Sequence, residues 1–219
     1  MKFDTLDIDE RLLEGIDAIG FTDMTPVQEQ VIPVILEGRD VIASAQTGTG
    51  KTAAFLLPVI HKLLTNDHDE SKINCIIIVP TRELALQIVQ TLDGLSYFTD
   101  ISSIAVYGGG DGPSFANEKN ALSSGVDMVV CTPGRMIAHL NMGHVDLSDV
   151  RYLVLDEADR MLDMGFSDDI KKIISKLPQK RQSLMFSATM PHKIRELART
   201  LLSDPFELNI AISKPPEKI

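Results

Sequence analysis

Short apolar runs recur along this 219-residue chain, and segments with the spacing of amphipathic helices separate them. The runs lie at residues 40–43, 75–79, 104–106, 128–131, 152–155, 183–186 and, more weakly, 206–210. Apolar runs of this length without polar alternation are typical of strands buried on both faces, as in a parallel sheet. Two of the helical segments lie at residues 83–90 and 170–177, and Pro178 closes the second. The alternation predicts an α/β fold, a doubly wound and mostly parallel sheet with right-handed crossovers and helices on both faces.

The composition narrows the class of protein. Hydrophobic residues make up 44% of the chain and charged residues 24%, which is typical of one globular domain. No run approaches the roughly 18 apolar residues of a membrane helix, and residues 1–4 do not resemble a signal peptide, so we expect a cytoplasmic protein without a membrane contact. Cys75 and Cys131 lie inside apolar runs and are expected to be buried thiols. A formal charge of -10 argues against a globally basic nucleic-acid binder.

The strongest chemical signal is the segment at residues 45–52, directly after the first predicted strand. It departs from the phosphate-binding pattern G-x-x-x-x-G-K-[ST] only by Ala45 at the first glycine position. The glycines allow backbone N–H groups to face an anion at a helix N-terminus, where the helix dipole also favours negative charge. Lys51 is then expected to reach the β- and γ-phosphates of a nucleotide, and the Thr52 hydroxyl to coordinate Mg²⁺. The preceding strand and the following apolar helix disfavour the alternative of an ordinary glycine-rich turn. The predicted nucleotide-binding residues of the loop are Ala45, Gln46, Thr47, Gly48, Thr49, Gly50, Lys51 and Thr52.

A second signal is the acidic sequence Asp156-Glu157-Ala158-Asp159, which follows the fifth apolar run. A carboxylate at the end of a buried strand is where nucleotide-bound Mg²⁺ needs an acidic anchor, so Asp156 is a candidate metal ligand. Glu157 is a candidate for polarising a water for in-line attack on the γ-phosphate. The stretch alone is also typical of an acidic helix N-terminus, but the phosphate loop favours the metal site.

The acidic motif beside a phosphate loop resembles the DEAD-box RNA helicases, in which Ala45 is the ordinary residue of motif I. Residues 20–28 resemble the adenine-sensing Q motif, with Met24 where proline is usual, and Phe3 resembles the isolated upstream aromatic that stacks on the base. Other matches follow in the family's order: residues 80–85 (motif Ia), Gly108-Gly109 (the glycine pair), residues 132–135 (an RNA-contacting element) and residues 187–189 (the motif that couples nucleotide state to unwinding). The resemblance extends from Phe3 to about Ile210 and is strongest to compact bacterial members of the RhlE type.

The resemblance implies an ATP-dependent RNA helicase with a RecA-like domain, using ATP and Mg²⁺ and holding the RNA backbone without reading its sequence. The implied catalytic residues are Lys51, Asp156, Glu157, Asp159, Ser187 and Thr189, with Asp156 holding Mg²⁺ through water and Asp159 linked to Ser187 and Thr189. Phe3, Phe21 and Gln28 would join the loop in binding the nucleotide. The implied RNA contacts are Pro80, Thr81, Arg82, Gly108, Gly109, Thr132, Pro133, Gly134 and Arg135. Because backbone amides and a few arginines suffice for such contacts, an acidic chain is compatible with weak RNA binding.

Gln28 has a chemistry that distinguishes nucleotides. Its side-chain amide is both donor and acceptor and matches the N6 amine and N7 of adenine, whereas guanine offers O6 in place of the amine. ATP should therefore be preferred to GTP. Without the resemblance, residues 25–28 are more typical of a helix start.

The positions of the motifs along the chain predict that they meet at one edge of the sheet, and the resemblance implies a second domain that has no counterpart here. Six motifs follow predicted strands, and ligands of open α/β sheets bind beyond the carboxyl ends of the strands. The family's second RecA-like domain, which carries arginine fingers, has no counterpart here, and residues 213–219 are typical of a linker. We therefore expect an N-terminal RecA-like domain at residues 1–212, with the Q-motif region at 1–29, cut from a longer protein. We expect it to be monomeric and nearly inactive in hydrolysis when isolated. The alternatives are another phosphate-loop motor, such as a DNA translocase, and a non-catalytic RNA- or partner-binding module.

Overall fold

A parallel sheet flanked by helices organises the chain, whose computed structural model describes residues 1–46, 48–109 and 112–210. Thr47 and the predicted linker lie outside the described residues. The strands are β1 (Val41–Ser44), β2 (Cys75–Ile78), β3 (Ser103–Val106), β4 (Met128–Cys131), β5 (Tyr152–Leu155), β6 (Gln182–Ser187) and β7 (Phe206–Asn209). The helices are α1 (Glu10–Ala18), α2 (Pro26–Leu36), α3 (Lys51–Thr65), α4 (Arg82–Leu95), α5 (Gly112–Ser124), α6 (Pro133–Asn141), α7 (Ala158–Asp163), α8 (Ser167–Ile174) and α9 (His192–Leu201), preceded by a 3-10 turn at Phe3–Thr5.

The strands form one sheet in the order β3-β4-β2-β5-β6-β1-β7. Every neighbouring pair is parallel; Val41 of β1 lies opposite Leu184 of β6, for example, and Cys75 of β2 opposite Met128 of β4. Because all strands point the same way, their carboxyl ends meet at one edge of the sheet. The predicted doubly wound α/β fold is confirmed.

Two hydrophobic cores cover the two faces of the sheet. Along β2, Cys75 and Ile77 point into the core packed by α1–α4, whereas Ile76 and Ile78 point into the core packed by α5–α9. A strand buried on both faces has no polar side to alternate with, which explains the continuous apolar runs in the sequence. Cys75 and Cys131 are buried free thiols, as predicted.

The predicted strands are all present, and the runs at 128–131 and 152–155 coincide with β4 and β5. The predicted helix at 170–177 was misplaced, because α8 begins and ends three residues earlier. Its acidic first turn extends it towards the N-terminus, and tighter turns ahead of Pro178, with Lys176 N–H donating to the carbonyl of Ile173, end it early. No helix in the described ranges is long and apolar enough to cross a membrane.

Candidate nucleotide and RNA site

The strand order separates the predicted site residues into two neighbouring groups. The phosphate loop, the acidic motif and residues 187–189 follow β1, β5 and β6, which are adjacent in the sheet. The predicted RNA elements at 80–82, 108–109 and 132–135 follow β2, β3 and β4, which are also adjacent. The carboxyl edge of the sheet therefore carries a predicted nucleotide half beside a predicted RNA half.

The phosphate loop has the backbone that an anion cradle requires. Gly48 and Gly50 have φ angles of +82° and +84°, and Gly50 is the N-cap of α3, so the loop ends at a helix N-terminus. A Cβ at Gly50 would lie 2.5 Å from Nε2 of Gln28, whereas one at Gly48 would meet no atom within 4 Å. Gly50 is therefore required both by its φ and by the close approach of Gln28.

Lys51 and Asp156 form the charged centre of the nucleotide half. Nζ of Lys51 lies 3.6 Å from Oδ1 of Asp156, and the two side chains are 6% and 3% exposed. Burial raises the pKa of the Asp156 carboxyl, and the Lys51 ammonium partly offsets that rise. In the described part of the chain, Nζ of Lys51 has no hydrogen-bond partner, which is costly for a buried cation. Phosphate oxygens at the helix N-terminus would supply the missing acceptors.

Glu157 is held in a strained backbone conformation. It is the N-cap of α7 with φ 52° and ψ 47°, a region that residues other than glycine rarely adopt. Its N–H donates to Oδ1 of Asp156 at 2.9 Å, and its Oε2 accepts from Nη1 of Arg160 at 3.1 Å. The Glu157 side chain is thus paired with Arg160, a partner that the sequence analysis did not identify.

A hydrogen-bond network joins the acidic motif to residues 187–189. Oδ2 of Asp159 accepts from the backbone N–H and the hydroxyl of Thr189, at 2.9 and 2.8 Å. The Ser187 hydroxyl accepts from the Asp159 N–H at 3.2 Å and donates to the Thr189 carbonyl at 2.7 Å. Burial raises the pKa of the Asp159 carboxyl. The hydrogen bond with the Thr189 side chain, together with further side-chain and backbone hydrogen bonds, nevertheless keeps this pKa below its ordinary value. The ends of β5 and β6 are thus linked through three residues.

Gln28 links the predicted adenine motif to the phosphate loop. Its Oε1 accepts from the Thr25 N–H at 2.8 Å, completing a capping box at the start of α2, and its Nε2 donates to the Gly50 carbonyl at 3.0 Å. The side chain is 4% exposed. A contact with adenine would use the second amide hydrogen and the second lone pair, and it remains a prediction.

The predicted base-stacking ring is covered in this conformation. Phe3 is 3% exposed and stacks on Phe21, with ring centroids 6.1 Å apart, whereas Phe21 is 37% exposed. Phe21 therefore presents the accessible aromatic surface, and stacking of a base on Phe3 would require that ring to be uncovered.

The RNA half presents exposed backbone next to helix N-termini. A Cβ built at Gly108, Gly109 or Gly134 would meet no atom within 4 Å. Packing does not demand glycine at these positions, although the φ of +87° favours it at Gly109, and the open space gives room for a close approach of an outside molecule. Thr81 caps α4 by accepting from the Leu84 N–H, and Pro133 is the first residue of α6 after Thr132. Pro80 immediately precedes Thr81, the N-cap of α4.

The two predicted RNA-contacting arginines have different surroundings. Arg82 is exposed, and its guanidinium carbon lies 4.9 Å from the ring centroid of Tyr107. The Arg135 side chain is only 14% exposed: its Nε donates to Oε2 of Glu118 at 2.7 Å, and its guanidinium lies 4.5 Å from the ring centroid of Phe115. No local sequence pattern singled out Glu118 or Phe115, because their contacts with α6 arise only on folding.

A parallel sheet with a phosphate loop at its carboxyl edge defines a nucleotide-binding α/β domain, and comparison with known proteins identifies the family. A sequence model described as DEAD/DEAH box helicase matches residues 25–197, and the chain belongs to this family. The chain is 46% identical over 204 residues to the ATP-dependent RNA helicase CshA of Listeria monocytogenes, covering 93% of this chain and 38% of that protein. It is 44% identical over 212 residues to the DEAD-box ATP-dependent RNA helicase RhpA of Helicobacter pylori, covering 97% and 42%.

A solved structure agrees with the fold. The crystal structure of a DEAD box protein from the hyperthermophile Methanococcus jannaschii superposes with a TM-score of 0.89 at 37% identity, covering 97% of this chain and 56% of that one. The chain thus spans about two fifths of the curated relatives named above. The predicted DEAD-box membership and RecA-like fold are confirmed, while the narrower likeness to the RhlE type remains a prediction.

Proposed function

We propose that this chain is the ATP-binding domain of an ATP-dependent RNA helicase that acts on the RNA backbone. The observation that carries the proposal is Nζ of Lys51, buried at the end of the phosphate loop without a hydrogen-bond acceptor among the described residues. A buried ammonium in that condition is suited to an anionic ligand whose oxygens complete its hydrogen bonds. Gln28 supports adenine as the base, and the names of the relatives support RNA as the substrate.

The donor set of the site fits a Mg²⁺ ion. Asp156 supplies a buried carboxylate and Thr52 a hydroxyl in the first turn of α3, and both are the hard oxygen ligands that Mg²⁺ prefers. These two residues would hold the ion, with Asp156 acting through water. When bound, Mg²⁺ neutralises charge on the phosphate oxygens.

Glu157 is the proposed residue that orients the attacking water. Its carboxylate is paired with Arg160 at 3.1 Å, so this ion pair has to open or shift before Glu157 accepts a hydrogen bond from water. The network of Asp159, Ser187 and Thr189 is the proposed link between nucleotide state and RNA.

Hydrolysis and duplex separation are proposed to need the family's second domain. Its arginine fingers would stabilise charge on the γ-phosphate, an effect worth roughly 10³–10⁵ in rate, or about 4–7 kcal/mol of barrier. The contacts of Lys51, Thr52 and Gln28 do not depend on that domain. We therefore propose weak but measurable ATP binding by this chain, with negligible hydrolysis. A monomeric state and a cytoplasmic location are further proposals, the second supported by two buried free thiols.

The test measures ATP binding by Lys51→Ala against Lys176→Ala, a control that removes an exposed lysine in the turn after α8. Lys51→Ala is expected to abolish detectable binding and Lys176→Ala to leave it unchanged. Equal affinity in a folded Lys51→Ala protein would refute the nucleotide site. ATP hydrolysis is then compared with RNA, with DNA and without nucleic acid, after a second RecA-like domain is joined to the chain. Stimulation by DNA alone would favour the translocase alternative, and ATP binding without hydrolysis would favour a non-catalytic module.

A further inference from the structure

A cluster of charged and aromatic side chains, with Glu118 and His139 buried at its centre, joins α5 to α6. We call Phe115, Glu118, Arg135, His139 and His144 the α5–α6 clamp. Oε2 of Glu118 lies 2.7 Å from Nε of Arg135 and 2.7 Å from Nε2 of His139. Nδ1 of His139 lies 3.0 Å from Nε2 of His144. The Phe115 ring stacks on the His139 imidazole, with centroids 4.2 Å apart and planes 9° apart.

The positive charge of Arg135 is neutralised within the clamp. Glu118 and His139 are buried, so the Glu118 carboxylate needs a cation inside the protein, and Arg135 is the arginine that reaches it. Arg135 is also covered on one face by Phe115. Its Nη2 is buried and has no hydrogen-bond partner in the described residues, so that nitrogen does not face solvent. The guanidinium is thus oriented by protein groups and neutralised by one of them.

Arg82 differs from Arg135 in its exposure and in its lack of a neutralising partner. It is exposed, and no carboxylate of the described residues lies within ion-pair distance of its guanidinium. Among the described residues, its close support is the Tyr107 ring, a contact that orients the guanidinium without neutralising it. Tyr107 immediately precedes Gly108, and Phe115 lies in the first turn of α5 after the glycine pair. The aromatic residues that contact the two arginines therefore lie on either side of the glycine pair.

We propose that Glu118 is a positioning residue that makes Arg135 a clamp between α5 and α6, so that Arg82 is the arginine that meets an RNA phosphate. This inference rests on the proposed RNA binding. The clamp fixes the start of α5 against α6. It thereby limits the separation between the start of α6 and the exposed backbone of Gly108–Gly109, which precedes α5. Arg135 then supports RNA binding by holding α5 and α6 in place, and Arg82 supports it by its positive charge.

The salt dependence of RNA binding distinguishes an arginine that contacts a phosphate from one that only holds the helices in place. Each phosphate contact to single-stranded RNA contributes about 0.7 to the slope of log K against log salt concentration. Binding of fluorescein-labelled oligouridine to the 219-residue chain is measured by anisotropy over a range of low salt concentrations. Arg82→Gln is expected to weaken binding and reduce the slope by about 0.7. The charge-neutral double variant Glu118→Gln/Arg135→Gln is expected to weaken binding with an unchanged slope.

Two controls keep the result interpretable. Phe115→Leu removes the stacking partner without changing charge, so it is expected to lower affinity at constant slope even if the double variant does not fold. A slope reduction of about 0.7 in the double variant would overturn the inference, because Arg135 would then release a counterion as Arg82 does. Should the double variant not fold, unchanged affinity in Phe115→Leu would overturn it instead. If the unaltered chain binds no RNA at any salt concentration, the proposed RNA binding itself fails, and the inference fails with it.

Discussion

Asp159→Asn is expected to lower the free energy of unfolding by about 2 kcal/mol, since hydrogen bonds to a charged group contribute about 1.5–3 kcal/mol each. Oδ2 of Asp159 accepts two hydrogen bonds from Thr189, at 2.9 and 2.8 Å. An asparagine amide has only one oxygen and no charge. With that oxygen facing Thr189, both hydrogen bonds lose charge assistance, and the amide nitrogen replaces Oδ1, which accepts from the Arg160 N–H at 3.0 Å. The lower part of the range applies because Asp159 is partly exposed, so water weakens its hydrogen bonds.

A double-mutant cycle with Thr189→Val isolates the interaction. Thr189→Val removes the hydroxyl but keeps the backbone N–H, and so leaves one of the two hydrogen bonds to Asp159. The coupling energy between the two side chains is expected to be about 1 kcal/mol, within the range for residues that share one network.

Urea unfolding followed by far-UV circular dichroism is the suitable assay, because the chain contains no tryptophan. Asp163→Asn is the matched control, since Asp163 is an exposed carboxylate at the end of the same helix. It is expected to change stability by less than about 0.5 kcal/mol. Effects of Asp159→Asn and Thr189→Val that add within about 0.3 kcal/mol would refute the coupling argument.

Two further predictions concern base choice and pH. Gln28→Ala is expected to lower the affinity for ATP more than the affinity for GTP, although loss of the contact with Gly50 lowers both. Gln30→Ala is the control on the same helix. Equal losses of affinity for the two nucleotides would mean that Gln28 is a structural residue. Burial lowers the pKa of His61 below its ordinary 6.5, and its Nδ1 accepts from the Asp9 N–H at 3.0 Å, which requires a neutral ring. The unfolded chain binds the proton first, so stability is full above pH about 6.5 and falls below it by up to about 1.4 kcal/mol per pH unit. The difference between unfolding free energies at pH 7.5 and 5.5 should shrink in His61→Gln, and an unchanged difference would contradict this assignment.

The strands were predictable from the sequence because burial on both faces imposes a local pattern. Each predicted strand end agrees with the structure to within one residue. Helix ends were less predictable: α8 is shifted by three residues because caps and tight turns, rather than the apolar stripe, decide where it stops. The order of the strands could not be predicted from the sequence either, although this order places β1, β5 and β6 side by side.

The placement of the motif residues at the carboxyl edge of the sheet was predictable, whereas their supporting partners were not. Glu118 reaches Arg135 across 17 residues of sequence, and its own helix has no strong amphipathic pattern that would mark a buried carboxylate. Gln28 is instructive, since the capping box and the adenine motif were alternative interpretations of the same residues. The structure contains the capping box, and its Gln28 also contacts the phosphate loop, so the two interpretations do not compete.

Several proposed ligand-binding groups have protein partners in this conformation, and this bears on affinity. Glu157 is paired with Arg160, and Gln28 is hydrogen-bonded to Gly50. A ligand that engages these groups has to replace or share existing contacts, so only the difference between old and new partners contributes to binding. Lys51 differs, because its Nζ lacks a hydrogen-bond acceptor among the described residues and gains one without giving up another. We therefore expect the phosphates to supply most of the ATP affinity of this chain, with the base adding selectivity.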